Sequence, residues 1–353
     1  MVTESVLRGY LLEESLAWLL RGSGYRLLVN AEEDPAELLA QGQELRVRGR
    51  GTSHQVDVLG ELAFTPAFAL PVRLFLEAKF YSTALRLPVV RNAHGVVHDV
   101  NENFTTRSGD GHPHRRYQYA YALFSTSGFT AEAEEYALAH QISLVDLAGP
   151  SFAWLREPIT VAAGKLVRRQ SRFNVATFPV AWMRTRLRAL LGTANPAEMP
   201  EAQTNAPLFA AEAEQVLATF ADILGTHQQT QLLLGFPAAP FILSLAASDK
   251  QAFSAYAAEH PSHEVRIVRS GTGAQAEWTL YPLAQQDAYR LTFSLPERIE
   301  SWIAAGEEER LARTRAVKTD LLSSITIYDT DGEDQQVYRL RYAPGALRRV
   351  AVH

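Results

Sequence analysis

Cysteine is absent from this 353-residue chain, which excludes disulfides, thiolate metal sites, iron–sulfur clusters and cysteine nucleophiles. No apolar run approaches the roughly 20 residues that a bilayer-spanning helix requires. The start, Met1-Val-Thr-Glu-Ser-Val-Leu-Arg-Gly9, lacks the basic-then-apolar layout of a secretory signal. Internal repeats and low-complexity tracts are missing as well. These absences lead us to expect a soluble, cytoplasmic protein with no membrane partner. Against them stands a hydrophobic content of 47% with 21% charged residues, the balance of an ordinary folded chain long enough for two domains.

Positive charge is short overall, with 34 Lys and Arg against 39 Asp and Glu, but the deficit is uneven. Residues 1–190 carry a net +2 and residues 191–353 a net −7. Only the first part has a balance suited to a phosphate-bearing partner.

Periodicity divides the chain further. Leu12, Leu16, Leu19 and Leu20 recur at helical spacing, Arg21-Gly-Ser-Gly24 ends that helix, and Tyr25–Val29 reads as a strand. Residues 31–39 read as a loop or short helix, and Glu44–Gly51 leads into strands at His54–Leu59 and Val72–Phe80. A helix over Val89–Asn101, a polar loop from Thr105 to Arg116, a buried strand over Tyr119–Ser125, a helix from Ala131 to His140 N-capped by Thr130, and a strand over Ile142–Leu147 follow. The expected fold is an α/β domain over residues 1–150, a basic connector and linker over 151–206, and an α+β accessory domain over 207–353. In that last part the pattern predicts a helix over Leu208–Leu224, strands near 231–236 and 241–246, and a helix over Lys250–His260. A hairpin across Glu264–Tyr281 turning at Ser270-Gly-Thr-Gly273, a strand over Tyr289–Leu295, one charged helix over Pro296–Lys318 and a hairpin turning at Asp329–Gly332 complete it.

The chemistry-bearing set lies in the first domain. Side chains alternate along a strand, so in Leu74-Phe-Leu-Glu-Ala-Lys79 the Glu77 and Lys79 side chains share a face. If the 54–59 strand pairs with it, Asp57 joins them, bringing two carboxylates and a lysine together at one sheet edge. Oxygen ligands of this kind suit a hard divalent cation bridging to a phosphate, and a nearby lysine can orient or deprotonate a water and stabilise charge on phosphorus. Alone, Asp…Glu-x-Lys is three common residues at loose spacing, and a solvated strand face with an ion pair satisfies it equally.

The surroundings add to it. Asp57–Glu77–Lys79 in this helix and strand order resembles the PD-(D/E)xK nuclease superfamily, and within it the Mrr-like restriction endonuclease domain. The helix Glu13–Leu20 ending in Gly24-Tyr25 is similar to the family's acidic first helix. Arg48-Gly-Arg-Gly-Thr-Ser-His-Gln-Val-Asp57 resembles its glycine-rich lead into the metal aspartate, and Leu123–Ala137 with Ile142–Asp146 its closing strand–helix–strand. The likeness spans residues 8–148. It departs from the family in lacking the naming proline, with Val56 before Asp57, and in carrying Glu77 where Mrr-like domains often have Gln.

The resemblance implies a restriction-endonuclease-like core, a mixed sheet flanked by helices, and a Mg²⁺-dependent DNA endonuclease, with Mn²⁺ able to substitute, serving restriction or antiviral defence. It implies catalytic roles for Asp57, Glu77 and Lys79, and metal contacts from Asp57, Glu77, the Ala78 carbonyl and Glu13, with Glu14 competing for the last role. Arg48, Arg50, His54 and Gln55 are weaker candidates for DNA contact, each with a purely structural alternative. His112-Pro-His-Arg-Arg116 reads as a solvated loop more readily than as a zinc or phosphate cluster, and Lys165, Arg168, Arg169, Arg172, Arg184, Arg186 and Arg188 suit phosphate contact or pairing with the acidic domain beside them. DNA is the implied partner and a homodimer the expected assembly, since double-strand cleavage usually needs two active sites. The acidic second half favours dimerisation or regulation by a ligand or protein. Two alternatives stay open: a nuclease fold kept for binding or regulation, and an effector nuclease held silent until its second half meets a signal.

Overall fold

The computed structural model describes residues 2–42, 44–63, 65, 69–103, 115–149, 152–193, 207–230, 232–239, 241–271, 276–306, 308–331 and 334–344. The chain divides into two compact units: Met1–Ala148 with Ala153–Gly225, and Thr226–His353 with the short segment Gly149–Phe152.

In the first unit, helix α1 (Glu4–Arg21) starts at Thr3, whose hydroxyl accepts from the Val6 N–H. Its Leu7, Leu11, Leu12, Leu16 and Leu20 are buried. A five-stranded mixed sheet follows, in the order β1 (Tyr25–Leu28), β5 (Val58–Leu62), β6 (Val72–Lys79), β7 (Gln118–Ser125) and β8 (Ser143–Asp146). β5 runs antiparallel to β1 and β6, while β7 and β8 run parallel to β6 through helices α2 (Leu87–Asn101) and α3 (Ala131–Ala139). Alternation sorts the two faces. Leu59, Phe75, Tyr121 and Leu123 pack with Val90, Ala93, Ala133 and Ala137 of α2 and α3. On the other face α1 approaches so closely that a Cβ on Gly60 would lie 2.7 Å from Leu20 Cδ2. A three-stranded sheet of β2 (Leu38–Gln41), β3 (Glu44–Arg48) and β4 (Ser53–Gln55) extends this unit.

Beneath the sheet's far end, Arg73 is 1% exposed and ties several strands together. Its guanidinium donates to Glu61 at 3.0 Å, Asp34 at 2.7 Å and the Tyr119 hydroxyl at 3.2 Å, while Tyr117 stacks 3.3 Å beneath it. Tyr119 in turn donates to Glu37. The buried Arg73 charge is met by those of Asp34 and Glu61, the condition for burying it at all.

Several sequence expectations are corrected here. The 54–59 strand is two strands in two sheets. It pairs with β3 through Gln55, then crosses at Val56-Asp57 and pairs with β6 from Val58. From Ala153 on, the expected basic connector over 151–192 is part of the first unit's packed body. It forms α4 (Ala153–Arg172) and α5 (Val180–Leu191), both packed on α1. Helix α6 (Pro207–Thr230) belongs to the first unit as far as Gly225, moving the boundary from 206 to 225. The reason is electrostatic as well as apolar: Glu212 pairs with Arg169 and Arg172, Glu214 with Arg186, and Phe209 packs edge-on against Phe178.

The second unit is built on a closed seven-stranded barrel. Its order is β10 (Leu243–Ala247), β13 (Leu291–Phe293), β12 (Glu277–Pro282), β11 (Ser262–Ser270), β15 (Asp334–Tyr342), β14 (Ser324–Asp331) and β9 (Leu232–Pro237), which returns to β10. Among the described residues, the β11–β15 pair is the one parallel pair of the barrel. Val265, Ile267, Trp278, Leu280, Ile325, Ile327 and Leu340 fill the core by period-two alternation. Closure removes the free edges an open α+β sheet would leave. Helix α7 is Lys250–Glu259, and the expected charged helix 296–318 is instead two, α8 (Glu297–Ala304) and α9 (Arg310–Asp320). The break falls near Gly306, where a Cβ would stand 2.7 Å from the Arg313 guanidinium that donates to the Trp302 carbonyl. Among the described residues no helix is long and apolar enough to cross a membrane. The turns expected at 270–273 and 329–332, the His112–Arg116 cluster and the linker lie wholly or partly outside the described residues.

Candidate active site

β6 is the central strand of its sheet, and Glu77 and Lys79 stand at its C-terminal end. The β5–β6 register pairs Val58 with Leu76, which sets Asp57 opposite Glu77. The trio therefore meets at the end of a central strand rather than at a lateral sheet edge. The Asp57 Oδ2 accepts the Ala78 N–H at 2.9 Å, a bond available because the chain turns from one sheet to the other at this residue. Lys79 Nζ lies 2.6 Å from Glu77 Oε1, and the Tyr121 hydroxyl donates to Glu77 Oε2. Tyr121 reaches Glu77 because the parallel β6–β7 register sets it against Phe75, with whose ring it stacks at 4.9 Å.

Electrostatics sort the roles. Burial pushes Asp57 above the ordinary aspartate range, helped by the Glu77 charge and opposed by the Ala78 N–H and Lys79. Burial alone would depress the Lys79 ammonium, but Glu77 and Asp57 outweigh it and hold its pKa above the usual lysine value. Lys79 is thus a fixed cation, suited to orienting a water and neutralising charge, and unsuited to acting as a base. That narrows the two roles the sequence allowed it.

Glu13, on α1, receives Arg184 Nη2 at 2.8 Å. Burial raises its pKa to about 8; Arg184 opposes that rise, and Asp57 and Glu14 add to it. Glu14 is different. It is 2% exposed and fully engaged, taking Arg184 Nε at 2.7 Å and Arg188 Nε at 2.8 Å. Of the two acids, Glu14 is held by two arginines and Glu13 by one. Glu13, Glu14, Gln55, Asp57, Arg184 and Arg188 line one cavity.

The other candidates are placed less centrally. His54 Nε2 meets Asp99 Oδ2 at 2.8 Å, away from Asp57, and holds β4 to the C-terminal turn of α2. Asp99 also accepts the Gly51 N–H at 2.8 Å and the Thr52 N–H at 3.3 Å. The His54 hydrogen bond and these amides keep its pKa low. The glycine-rich lead is a cradle for that carboxylate: a Cβ on Gly49 would sit 2.0 Å from Asp99 Oδ2. Arg50 pairs with Glu102 at 2.9 Å on the surface, while Arg48 is half-buried at the end of β3, its carbonyl accepting from Asn103. Of the four DNA-contact candidates, only Gln55 borders the cavity with Asp57.

Tyr121 and Arg184 were not singled out as site residues by motif. A tyrosine hydroxyl in a buried strand needs a partner, which is the signal Tyr121 offered. Arg184 and Arg188 flank the buried Met183–Leu187–Leu191 stripe at helical spacing, the one pattern that places them beside a packed surface. Among the described residues no group of three or more His, Asp or Glu side chains is arranged to hold a metal ion.

No family model matches this chain, and no curated protein matches it. A solved structure of a protein of unknown function, AF1548, is 15% identical, with 62% of this chain and 98% of that one covered and a TM-score of 0.31. A score of that size does not establish a shared fold.

Proposed function

We propose that the first unit is a restriction-endonuclease-like domain whose activity is metal-dependent hydrolysis of DNA phosphodiesters, used in restriction or antiviral defence. The observation that carries this reading is the joining of Asp57, Glu77 and Lys79 at one strand end, with Asp57 bonded to the strand that bears the other two. A mixed sheet with helices on both faces, in the order the resemblance implies, supports it.

The donor set fits a hard divalent cation. It is all oxygen: the Asp57 and Glu77 carboxylates, the Ala78 carbonyl, and Glu13 beside them. Burial and mutual repulsion raise the pKa of both Asp57 and Glu13, an unfavourable state that a cation relieves. Mg²⁺ keeps several of its waters and needs one or two carboxylates, so a preformed three-acid cage is not required. When bound, Mg²⁺ or Mn²⁺ would supply an acidified water and charge neutralisation at phosphorus.

The chain's own residues do the remainder. Tyr121 and Lys79 fix the Glu77 carboxylate from opposite oxygens. The Ala78 N–H fixes Asp57, leaving its second oxygen for a ligand. Lys79, held protonated, orients the attacking water and stabilises the negative charge that develops on the phosphoryl oxygens. DNA is the proposed partner and a homodimer the proposed assembly.

Each Glu77 oxygen accepts one hydrogen bond and keeps a lone pair for a ligand. The test of the main reading is cleavage of plasmid DNA, methylated and unmethylated, with Mg²⁺ or Mn²⁺. Metal binding that vanishes in Asp57→Ala, without cleavage by the wild type, would favour gating.

A further inference from the structure

We propose that Arg184, on a helix outside the segment that resembles the nuclease family, is a positioning residue of the active site that acts through Glu13. The inference rests on the hydrolase reading above and names a residue that reading does not include.

The geometry is specific. One guanidinium bridges two adjacent carboxylates of α1, Nη2 to Glu13 at 2.8 Å and Nε to Glu14 at 2.7 Å. Adjacent helical residues point about 100° apart, so a single side chain seldom serves both. The planar fork of arginine does so with two separate nitrogens, where lysine offers one. Arg184 is held from behind: its guanidinium lies over the Tyr10 ring at 5.0 Å, and its Glu14 partner is itself pinned by Arg188 at 2.8 Å. All four side chains border the cavity that Asp57 lines, but Glu14 is tied by two arginines while Glu13 is held by Arg184 and feels the Asp57 charge directly. Glu14 and Arg188 form the anchor, Arg184 the arm, and Glu13 the group the arm aims.

Charge points the same way. Around Asp57 stand the carboxylates of Glu13, Glu14 and Glu77, against the fixed cations Arg184, Arg188 and Lys79. With all four carboxylates ionised, the state a bound cation would draw them into, one negative charge is left over, and a divalent cation with one phosphodiester would bring the set to neutrality. Without Arg184 the balance tips further to the acid side, and Glu13 loses the donor that sets its direction. The device also explains why α5 packs on α1: the site is completed by a helix that follows the sheet domain in the chain.

The test is a double-mutant cycle on the full chain, with Glu13→Gln, Arg184→Met and the double variant. Each is read by plasmid cleavage and by Mn²⁺ titration calorimetry, with thermal melting as a check on folding. If Arg184 acts through Glu13, each single variant loses about 10- to 100-fold in cleavage rate, the usual effect of removing a group that orients a metal ligand. The double variant is then no slower than the worse single one, and Mn²⁺ affinity changes by the same factor in all three. Arg184→Lys recovers only part of the loss. Multiplying losses in the double variant, or an Arg184→Met protein with wild-type cleavage and Mn²⁺ affinity, overturns the proposal. Should Arg184→Met not fold, Arg184→Lys is carried through the same cycle with the same criteria. A wild type that neither cleaves nor binds Mn²⁺ overturns the hydrolase reading itself, and this inference with it. An active wild type with independent losses overturns the Arg184 role alone.

Discussion

The Asp57 carboxylate accepts the backbone N–H of Ala78 at 2.9 Å, so the residue at which the chain changes sheets is bonded to the strand carrying Glu77 and Lys79. One hydrogen bond thus registers the Asp57 carboxylate, just before β5, against the Glu77 carboxylate and Lys79 ammonium of β6. Asp57 is also held in an unfavourable electrostatic state by burial and by Glu77. Asp57→Asn keeps the shape and removes the repulsion. We expect it to retain or raise the melting temperature while cleavage falls below detection, the trade expected of a strained functional group. A melt and a cleavage assay on the same preparation check both halves.

Glu13 makes stability depend on pH. Its folded pKa of about 8 lies above the ordinary value of 4.5, so the folded state holds a proton that the unfolded chain releases. That contribution is fully present below pH 4.5 and is lost as pH rises through 8. Glu13→Gln should flatten this decline, melting closer to the wild type at pH 5 and above it at pH 8.5. Thermal melts at the two pH values, without divalent metal, decide it.

The same proton predicts linkage to metal. Ligation favours the carboxylate form, so Mn²⁺ binding at pH 7 should release protons and strengthen toward pH 8.5. Calorimetry in two buffers of different ionisation enthalpy measures the release, and Glu13→Gln should reduce it.

The second unit carries its own titrating group. His263 Nδ1 lies 2.6 Å from the His260 carbonyl, which can only accept, so Nδ1 carries the proton and Nε2 accepts from the Tyr289 hydroxyl. Burial lowers its pKa below 6.5. For a histidine shifted down, the stabilisation is present above the unfolded value and is lost as pH falls through it toward the folded one. The barrel should therefore lose stability below about pH 6.5, and His263→Phe should lessen that dependence at some cost at pH 8. Melting curves from pH 8 to 5 check the slope.

Arg73 tests the fold rather than the site. Replacing it with Met strands Glu61 and Asp34 around a 1%-exposed position. Removing one partner of a buried charge network costs about 3–5 kcal/mol, so urea unfolding of the variant should show a loss of that order. A loss under about 1 kcal/mol, the scale of a surface pair, would show that water reaches the network.

The sequence made part of this legible, for identifiable reasons. Period-two alternation placed Glu77 and Lys79 together, and helical spacing marked α1 and α2, because those patterns are local. The break at Asp57 was not visible: His54-Gln-Val-Asp-Val-Leu59 alternates without interruption, and only pairing with two different partners splits it. Arg184 meets Glu13 across 171 residues, a distance no motif spans. The glycines before Asp57 were legible as a motif, but their cause is the Asp99 carboxylate they cradle. Barrel closure depends on the non-local pairing of β9 with β14 and of β10 with β13, and on parallel pairing of β11 with β15, none of which alternation encodes.

The most direct test is nicking of supercoiled plasmid by the wild type and by Lys79→Met, with 10 mM-scale Mg²⁺ or Mn²⁺ against a chelator control. The account predicts metal-dependent cleavage by the wild type that falls by about 10²-fold or more in Lys79→Met, as loss of a charge-stabilising group does. Equal cleavage by both proteins, or cleavage that survives the chelator, would contradict it.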